Sequence, residues 1–254
     1  MKIQGGLGNQ MFQWACARAL SIKRKKSITL DLSSYIFDKK RRFQLNEFPC
    51  IKQIFEDGSI STLNYPHFLS ISPIIDDFKT FDFPNSNLYL NGYWQSEIFF
   101  SDIEEQIRQD FDLTSFSYVA DRFTDLHNCI SMHIRRTDYL TTNGYHPVQT
   151  LEYYDEALKL CENYSNILIF SDDLAWCQKN INYERTIFVQ NCNELETLYL
   201  MSKTKYNIIA NSSFSWWGAW LNADSKRIIA PSLWFGKNSG LSSENIIPKN
   251  WIKL

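Results

Sequence analysis

Hydrophobic and polar positions follow a regular order through the second half of the chain. Short runs rich in Ile, Val and Phe, typical of buried strands, alternate with segments whose apolar residues recur every three or four positions. In 151–162, for example, Leu151, Tyr154, Leu158 and Cys161 share one helix face. This order predicts βαβ units and a parallel sheet. The predicted strands are 130–135, 167–170, 186–189, 206–210 and 227–230, and the predicted helices are 151–162, 173–180, 194–203 and about 215–221.

The first half shows a strand, turn and helix order only at its beginning. Residues 2–4 are short and extended, the glycine-rich stretch 5–9 predicts a turn, and apolar residues recur at helical spacing from Met11 to Ile22. The other predicted elements are a strand at 27–32, a strand at 88–92 and a helical pattern at 97–110. The two βαβ starts predict an α/β protein with two nucleotide-binding-like lobes that face a cleft, at 1–127 and 128–254.

Composition narrows the class of protein without naming a function. The chain has 26 Lys and Arg against 28 Asp and Glu, a net charge of −2, which argues against a protein held to nucleic acid by phosphate neutralisation. Charged residues make up 21 %, near the ~25 % of ordinary soluble domains, so disorder is not expected. The 18 Phe, 13 Tyr and 8 Trp are an unusually large aromatic share.

Targeting and redox features predict a cytoplasmic protein. No run approaches the ~18 apolar residues of a transmembrane helix, and residues 1–6 do not begin a signal peptide. The six cysteines form no C-x-x-C pair, so we expect reduced core thiols and no zinc. Two basic runs, 23–26 and 39–42, have two open interpretations. They are solvated ends of elements, or a patch for an anionic membrane surface or a lipid-linked substrate.

Ligands of such sheets bind at the carboxyl ends of the strands, and this rule selects four segments. The first is the turn at Gly5–Gln10, where glycine lets the backbone approach a ligand and the following helix offers free N–H groups to an anion. Its spacing is neither G-x-G-x-x-G nor a phosphate-binding Walker loop. The turn is therefore an equally good candidate for a structural feature and for a ligand contact.

The second segment, His133–Tyr139, closes a strand with two adjacent arginines. Alternation along the strand places His133 and Arg135 on one face and Arg136 on the other. Adjacent arginines are costly to bury unless paired, and guanidinium binds phosphate oxygens in a bidentate fork. A diphosphate is therefore the expected partner, with a structural Arg136–Asp138 ion pair as the alternative.

The third and fourth segments add carboxylates and hydroxyls. In Phe170–Asp173, Ser171 or Asp172 is expected to cap the next helix, which leaves one carboxylate for a base, a sugar or, less favoured, a metal. Asp110-Phe111-Asp112 also fits D-x-D and is expected to be exposed. The segment Asn211–Trp220 begins a helix with small hydroxyls, another anion site, and its tryptophans either fill the core or line a pocket.

These segments resemble the bacterial α-1,2-fucosyltransferases, inverting glycosyltransferases of family 11 that use GDP-fucose. The resemblance rests on GGLGNQMFQ, GYWQSE, HIRRTDY, FSDD and IIANSSFSWWGAWL, in the family's order over about 215 of the 254 residues. HIRRTDY together with NSSFSWWGAWL is highly specific. One departure is Thr197, where the family often carries an acidic residue, and Glu194 and Glu196 are the nearest carboxylates.

The resemblance implies a GT-B-like fold, with residues 1–127 on the acceptor side and 128–254 binding GDP-fucose. It implies metal-independent transfer of fucose, without a cofactor, to the 2-hydroxyl of a terminal galactose in an oligosaccharide or O-antigen-type glycan, which is lipid-linked or free. No nucleic acid and at most a peripheral membrane contact, at the inner face, are expected. The expected donor-binding residues are Gly8, Asn9, Gln10, His133, Arg135, Arg136, Ser171, Asp172, Asp173, Asn211, Ser212, Ser213 and Phe214, and the expected acceptor-binding residues are Trp94, Gln95 and Glu97.

The expected chemistry is displacement of the diphosphate by the acceptor hydroxyl. Arg135 would stabilise the developing charge on the leaving group, and Asp138 and His146 are the alternatives for the general base. A nicotinamide or flavin oxidoreductase is one competing class, but the chain lacks the G-x-G-x-x-G spacing it needs. A non-catalytic glycan-binding protein is another, suggested by the aromatic residues, but it has no use for the two arginines.

Overall fold

A computed structural model describes residues 1–58, 60–63, 70–71, 89–237 and 239–254. The chain forms two compact units, Met1–Asp112 and Leu113–Leu254. Part of the strand predicted at 88–92 lies outside the described residues, because residue 88 is not among them. Among the described residues no helix is both long and apolar enough to cross a membrane. All six cysteines are free thiols.

The first unit is built around one long helix, α1 (Leu7–Arg24). It begins four residues before the predicted apolar pattern, and Leu7, Gly8 and Gln10, which precede that pattern, are buried in its first turn. The strand predicted at 2–4 is reduced to one bridge between Lys2 and Asp31. The other elements are β1 (Ile28–Asp31), α2 (Ser34–Phe37), α3 (Pro49–Glu56), β2 (Ile60–Leu63), β3 (Ser70–Ile71), β4 (Tyr89–Leu90) and α4 (Glu104–Asp110), with 3₁₀ helices at Leu45–Glu47, Glu97–Phe99 and Ser101–Ile103. Strand β1 pairs with β2 and β3 with β4, both in parallel.

The helical pattern predicted at 97–110 is broken in two. The Ser96 hydroxyl accepts a hydrogen bond from the Ile98 N–H and starts a 3₁₀ turn, and Phe100 leaves the helical region at φ −140°. Only α4, at the end of the pattern, is an α-helix. The apolar spacing alone does not reveal such a break, because the break is a change of backbone conformation at Phe100.

The second unit contains the predicted parallel sheet. Its strands are β5 (Ile130–Ile134), β6 (Ile167–Ser171), β7 (Thr186–Phe188), β8 (Tyr206–Ile208), β9 (Arg227–Ala230) and β10 (Ile252–Lys253), in the order β10-β9-β8-β5-β6-β7 and all parallel. Its helices are α5 (Leu151–Lys159), α6 (Leu174–Asn180), α7 (Glu194–Met201) and α8 (Ser213–Trp220), with 3₁₀ helices at Thr114–Arg122, Leu126–Asn128 and Asp138–Thr141. The chain runs outward from β5 to β7 and then returns to the other side at β8. The order therefore reverses between β5 and β8, which is where open sheets of this kind bind ligands.

Both faces of this sheet are covered by apolar side chains. Ile167 and Ile169 of β6 contribute to one core cluster, and the alternating Leu168 and Phe170 contribute to the other. Such two-sided burial explains why the strand sequences are almost continuously apolar. Trp216, Trp217 and Trp220 of α8 are buried against one another, so these tryptophans fill the core rather than line a pocket.

The segment before β5 belongs to the second unit. Val119 and Leu126 are buried in the cluster that contains Leu200 and Met201 of α7, and the Tyr118 hydroxyl donates a 2.5 Å hydrogen bond to Glu196. Along the chain, the boundary between the two units falls between Asp112 and Leu113. The donor and acceptor roles assigned to the two lobes stay predictions.

The D-x-D pattern at Asp110 is structural, and the expectation that it is exposed is wrong. The Asp110 carboxylate is buried and accepts hydrogen bonds from Trp14 Nε1 (2.9 Å), Arg18 Nε (3.2 Å) and Gln106 Nε2 (3.0 Å). These bonds connect the C-terminal end of α4 with the middle of α1. The desolvated carboxylate is tolerated because three donors replace its water.

Replacing Asp110 by Asn should lower the free energy of unfolding by about 2–4 kcal/mol, since it leaves the half-buried Arg18 guanidinium without its charge partner. Urea unfolding followed by circular dichroism measures the change. Glu104→Gln is the matched control, because Glu104 forms an exposed ion pair with Arg108 on the same helix and should cost no more than about 0.5 kcal/mol. Equal losses in the two variants would contradict this role of Asp110.

Candidate active site

The two polar segments that end β5 and β6 lie side by side. The register pairs Ile134 with Ser171, so Arg135 and Asp172 follow their strands at the same level of the sheet. Both residues leave the sheet at its carboxyl edge, next to the point where the strand order reverses. The sequence prediction that these motifs share one edge is therefore supported by the strand pairing.

The carboxylate of Asp172 holds the backbone of the arginine segment. It accepts hydrogen bonds from the backbone N–H groups of Arg136 (2.9 Å) and Thr137 (3.1 Å) and from the Thr137 hydroxyl. It also lies 3.4 Å from Arg135 Nε. Burial alone would raise the pKa of Asp172, but the Thr137 hydrogen bond and the Arg135 charge lower it below its usual range. Asp172 is therefore ionised at neutral pH and fixes the shape of the turn.

Arg135 is oriented by two carboxylates and an aromatic ring. Asp138 Oδ1 accepts from its Nε at 3.0 Å and lies 2.9 Å from its Nη2, and the guanidinium lies 5.5 Å from the centre of the Tyr139 ring. Burial works to lower the pKa of Arg135, but Asp138 and Asp172 raise it above its ordinary value. The side chain keeps 29 % of its surface exposed, so this cation has an open side for an anion.

Arg136 points to other partners. Its guanidinium lies 3.7 Å from the centre of the Trp176 ring and 3.4 Å from the Asp173 carboxylate, and only 15 % of its side chain is exposed. The alternative in which Arg136 pairs with Asp138 is wrong, because Asp138 pairs with Arg135. Arg136 is thus held against α6, and its role in donor binding stays a prediction.

The helix after β6 is capped by a residue other than the expected ones. Asp173 Oδ1 accepts from the Trp176 N–H at 3.1 Å and is the N-cap of α6, while Ser171 Oγ accepts from the Asp173 N–H at 3.0 Å. The expectation that Ser171 or Asp172 caps this helix is therefore wrong. Asp172 is the carboxylate of this segment that does not cap the helix. It binds the arginine segment instead.

His133 is buried on the same face of the sheet as the start of α8. Its ring lies 6.2 Å from that of Phe214, centre to centre, and Tyr154 donates a hydrogen bond of 3.1 Å to its carbonyl oxygen. Burial, and next the positive charge of Arg135, lower the pKa of His133 to about 3. The imidazole is therefore neutral at physiological pH and supplies one N–H donor and one acceptor.

Asn211 connects the end of β8 with two loops. Its Nδ2 donates to the carbonyl oxygens of Pro147 (3.0 Å) and Trp234 (2.9 Å), and its Oδ1 accepts from Gln149 Nε2 at 3.0 Å. The Tyr139 hydroxyl donates to the Asn211 carbonyl oxygen at 2.8 Å. All these hydrogen bonds are to other protein groups, so Asn211 holds the two loops in place. A direct contact between Asn211 and the donor stays a prediction.

Ser212 and Ser213 form the start of α8. Ser212 is the N-cap residue and is buried, and Ser213 is half-buried and opens the first turn of an eight-residue helix. The first N–H groups of such a helix have no partner within the helix and favour a negative charge. The two serines therefore occupy the position that the sequence predicts for phosphate contacts.

His146 belongs to an aromatic cluster that includes Tyr139. Its ring stacks on that of Tyr139 at 4.9 Å and lies at right angles to Tyr145 at the same distance. The loop packs closely against Gly236, whose N–H donates to the Tyr145 carbonyl oxygen at 2.9 Å. A Cβ at position 236 would lie only 1.7 Å from the Gly144 carbonyl oxygen, so the contact requires glycine.

In the first unit, the glycine turn is held by amide side chains. Gln10 is fully buried, and its Nε2 donates to the carbonyl oxygens of Gly5 (3.1 Å) and Arg42 (2.8 Å). Gly5 has φ +82°, and a Cβ there would lie 2.6 Å from Asn9 Nδ2. Gln10 is thus committed to the fold of the turn, and Gly8 is buried beside it. Donor contacts of Gly8, Asn9 and Gln10 stay predictions.

One of the predicted acceptor-binding residues, Gln95, contacts the glycine turn. Its Nε2 donates to Asn9 Oδ1 at 2.7 Å. Trp94 is only 2 % exposed, adopts a left-handed conformation at φ +54° and packs at right angles against Phe99. Glu97 is half-buried at the start of a 3₁₀ helix. The positive φ of a buried tryptophan is strained, and it turns the chain sharply between Tyr93 and Gln95.

Several residues of the site are absent from the sequence predictions. Thr137 contacts Asp172, and Tyr139 contacts Arg135. Both residues lie inside the HIRRTDY motif, and this is the sequence feature from which they could have been predicted. Trp176 follows Asp173 at helical spacing, but Gln149 stands in no recognisable pattern. Near Thr197, the Glu196 carboxylate is engaged by Tyr118 and by the Asn193 N–H of a capping box.

No group of three or more His, Cys, Asp or Glu side chains that could hold a metal ion occurs within the described ranges. Asp172 and Asp173 are both engaged by arginines. Arg135 and the start of α8 have the chemistry to bind an anion, and His133 can donate one hydrogen bond and accept one. The expected absence of a metal stays a prediction.

Two curated relatives match the chain over almost its whole length. An Escherichia coli alpha-1,2-colitosyltransferase is 33 % identical over 286 residues, which cover 100 % of this chain and 97 % of the relative. The O-antigen biosynthesis glycosyltransferase WbnK of Escherichia coli is 33 % identical over 301 residues, covering 99 % of each.

Solved structures share the fold. Fucosyltransferase NodZ from Bradyrhizobium superposes with a TM-score of 0.57 at 14 % identity, covering 93 % of this chain and 94 % of NodZ. A structure of NodZ alpha-1,6-fucosyltransferase soaked with GDP-fucose gives 0.53 at 15 % identity, covering 91 % and 94 %. These matches confirm the α/β, GT-B-like fold. The model of Glycosyl transferase family 11 matches residues 1–254 in full, and the chain therefore belongs to glycosyltransferase family 11.

Proposed function

We propose that this glycosyltransferase moves L-fucose from GDP-fucose, with inversion, to the 2-hydroxyl of a terminal galactose. The observation that carries the proposal is Arg135, a cation with an open side, fixed by Asp138 and Asp172 at the carboxyl edge of the sheet. A guanidinium in this place suits a nucleoside diphosphate leaving group. NodZ, which shares the fold, was soaked with GDP-fucose, and this supports the same class of donor.

In the proposed reaction, the acceptor hydroxyl attacks C1 of the sugar from the face opposite the diphosphate. The bond between C1 and the phosphate oxygen breaks, and its electron pair stays on GDP, while the hydroxyl proton passes to a general base. Arg135 and the N–H groups at the start of α8 stabilise the charge that develops on the diphosphate. The guanidinium supplies the positive charge that a divalent metal supplies in other nucleotide-sugar enzymes, so we propose a metal-independent reaction without a cofactor.

We propose His146 rather than Asp138 as the general base. In an inverting displacement the base and the leaving group lie on opposite faces of the sugar, so the base should be several ångströms from the residue that holds the phosphate. Asp138 is bound to Arg135 at 2.9 Å, which suits an orienting role. His146 stacks on the Tyr139 ring at 4.9 Å, and the Arg135 guanidinium lies 5.5 Å from the centre of the same ring, so we place His146 one side chain away from the phosphate site.

A colitosyl donor is a second candidate, favoured by the colitosyltransferase to which the chain is 33 % identical over its whole length. Colitose is 3-deoxy-L-fucose, so the two donors differ by one hydroxyl group. A site built to hydrogen-bond that hydroxyl rejects the deoxy sugar by about 10⁴-fold or more, whereas an apolar pocket discriminates by only about 10–200-fold.

The donor is tested by measuring kcat/KM with GDP-fucose and GDP-colitose against lactose, N-acetyllactosamine, a type 1 chain and galactosyl-N-acetylgalactosamine. We expect turnover with GDP-fucose on at least one of these galactosides, and equal turnover with EDTA present. A clear preference for GDP-colitose would show that the transferred sugar is colitose and not fucose. Loss of activity in EDTA that Mn²⁺ restores would overturn the metal-independent mechanism.

Arg135→Ala should lower kcat/KM by on the order of 10²-fold or more, because a donor aimed at the leaving-group charge is lost. The matched control is Arg185→Ala, which removes the same charge at the amino edge of the sheet, just before β7, where Arg185 lies over Tyr164. That control should keep its kcat/KM. Near-wild-type turnover by Arg135→Ala would exclude the phosphate contact.

His146→Ala should lower kcat by about 10²–10⁴-fold, the usual contribution of a general base, and added imidazole should restore part of it. Asp138→Asn should mainly raise the KM for the donor, because it releases the Arg135 side chain. Steady-state kinetics with and without imidazole separate the two roles. A large kcat loss in Asp138→Asn together with normal kcat in His146→Ala would identify Asp138 as the general base in place of His146.

A further inference from the structure

An exposed apolar pair stands at the end of α2 in the first unit. Ile36 is 59 % exposed and Phe37 is 87 % exposed, the greatest exposed fraction among the large hydrophobic side chains of the described residues. Exposure of two adjacent large side chains costs solvation free energy that burial would recover. Such a pair on a protein surface indicates a contact with an apolar medium or partner.

Cations follow this pair directly. Lys39, Lys40 and Arg41 are all exposed. The Asp38 carboxylate accepts from the N–H groups of Lys40 (2.8 Å) and Arg41 (3.1 Å), which fixes the turn that carries them. Residues 36–42 contain four cations and one anion, in a chain whose net charge is −2. The positive charge is therefore concentrated beside the apolar pair.

The loop that carries these side chains is tied to the glycine turn at both ends. The Tyr35 hydroxyl donates to the Gly5 carbonyl oxygen at 2.9 Å. At the other end, Gln10 donates to the Arg42 carbonyl oxygen at 2.8 Å and accepts from the Gln44 N–H at 2.9 Å. The loop thus projects its tip outward from a fixed base.

We propose that residues 36–41 form a membrane-contact loop that binds an anionic phospholipid bilayer. Ile36 and Phe37 enter the interface between headgroups and acyl chains, and Lys39, Lys40 and Arg41 bind the phosphate groups. The combination favours a bilayer over a protein partner, because lysine is depleted in protein interfaces and two apolar side chains are far below a standard interface area. Charge complementarity selects anionic lipid.

This surface would bring the glycine turn to the bilayer, where a lipid-linked glycan acceptor is displayed. That last step rests on the proposed function, whereas the binding of the loop to lipid does not. The binding measurement below needs neither donor nor acceptor, so it fails or succeeds independently of the transferase assay.

The test is co-sedimentation of the full chain with vesicles of phosphatidylcholine, with and without phosphatidylglycerol. We expect binding to the phosphatidylglycerol vesicles that weakens at high salt, since surface charges are screened. Each cation near an anionic surface contributes about fivefold to partitioning, so Lys39→Ser/Lys40→Ser/Arg41→Ser should weaken binding on the order of 10²-fold. Ile36→Ser/Phe37→Ser should also weaken it at unchanged charge.

The matched control is Lys23→Ser/Lys25→Ser/Lys26→Ser, which removes three exposed cations at the other end of α1, about 27 Å from its start. It should bind vesicles like the wild type. A circular dichroism spectrum and a urea unfolding midpoint like those of the wild type show that Ile36→Ser/Phe37→Ser is folded. The proposal is overturned if the wild type does not bind phosphatidylglycerol vesicles, if it binds neutral vesicles equally well, or if the control loses as much binding as the loop variants.

Discussion

The hydrogen bonds of one carboxylate, Asp172, set the geometry on which the candidate active site depends. A strand end leaves backbone N–H groups without ladder partners, and at the end of β5 two of them, from Arg136 and Thr137, are satisfied by Asp172 from the neighbouring strand. The same carboxylate lies next to the Arg135 guanidinium. The turn is therefore closed by charge-assisted bonds, and the cation it presents is partly balanced before any ligand binds.

In this arrangement the two adjacent arginines have different partners. Arg136 is held by Asp173 and the Trp176 ring against the helix that follows β6, where it stabilises the fold. Arg135 keeps an open side, and its carboxylate partners restrict its rotamers without covering it. A preorganised cation loses little entropy when an anion arrives, which is the general advantage of fixing a side chain in advance.

The order of strands and helices in the second unit could be predicted because the spacing of apolar residues that distinguishes them is contained in a short stretch of sequence. The parallel sheet followed from the alternation, and the clustering of polar strand ends followed from the sheet. The partners of individual side chains could not be predicted, since they depend on register. Asp172 was one of two candidates for a helix cap and instead bonds to the end of the neighbouring strand. Asp138 was the alternative partner of Arg136 and pairs with Arg135. In the first unit, Asp110 was expected in solvent, because only the packing of α4 on α1 buries it.

The contact between Gly236 and the 144–146 loop has a consequence for how this site can diverge. Backbone meets backbone there, so no side-chain exchange can widen or narrow the gap, and any side chain at position 236 would displace the loop as a whole. Single side-chain substitutions therefore cannot adjust the packing of Gly236 against the loop that carries His146. New specificity on this side has to come from side chains that project from the loop's free face, such as Tyr145, or from a change in loop length that remakes the contact entirely.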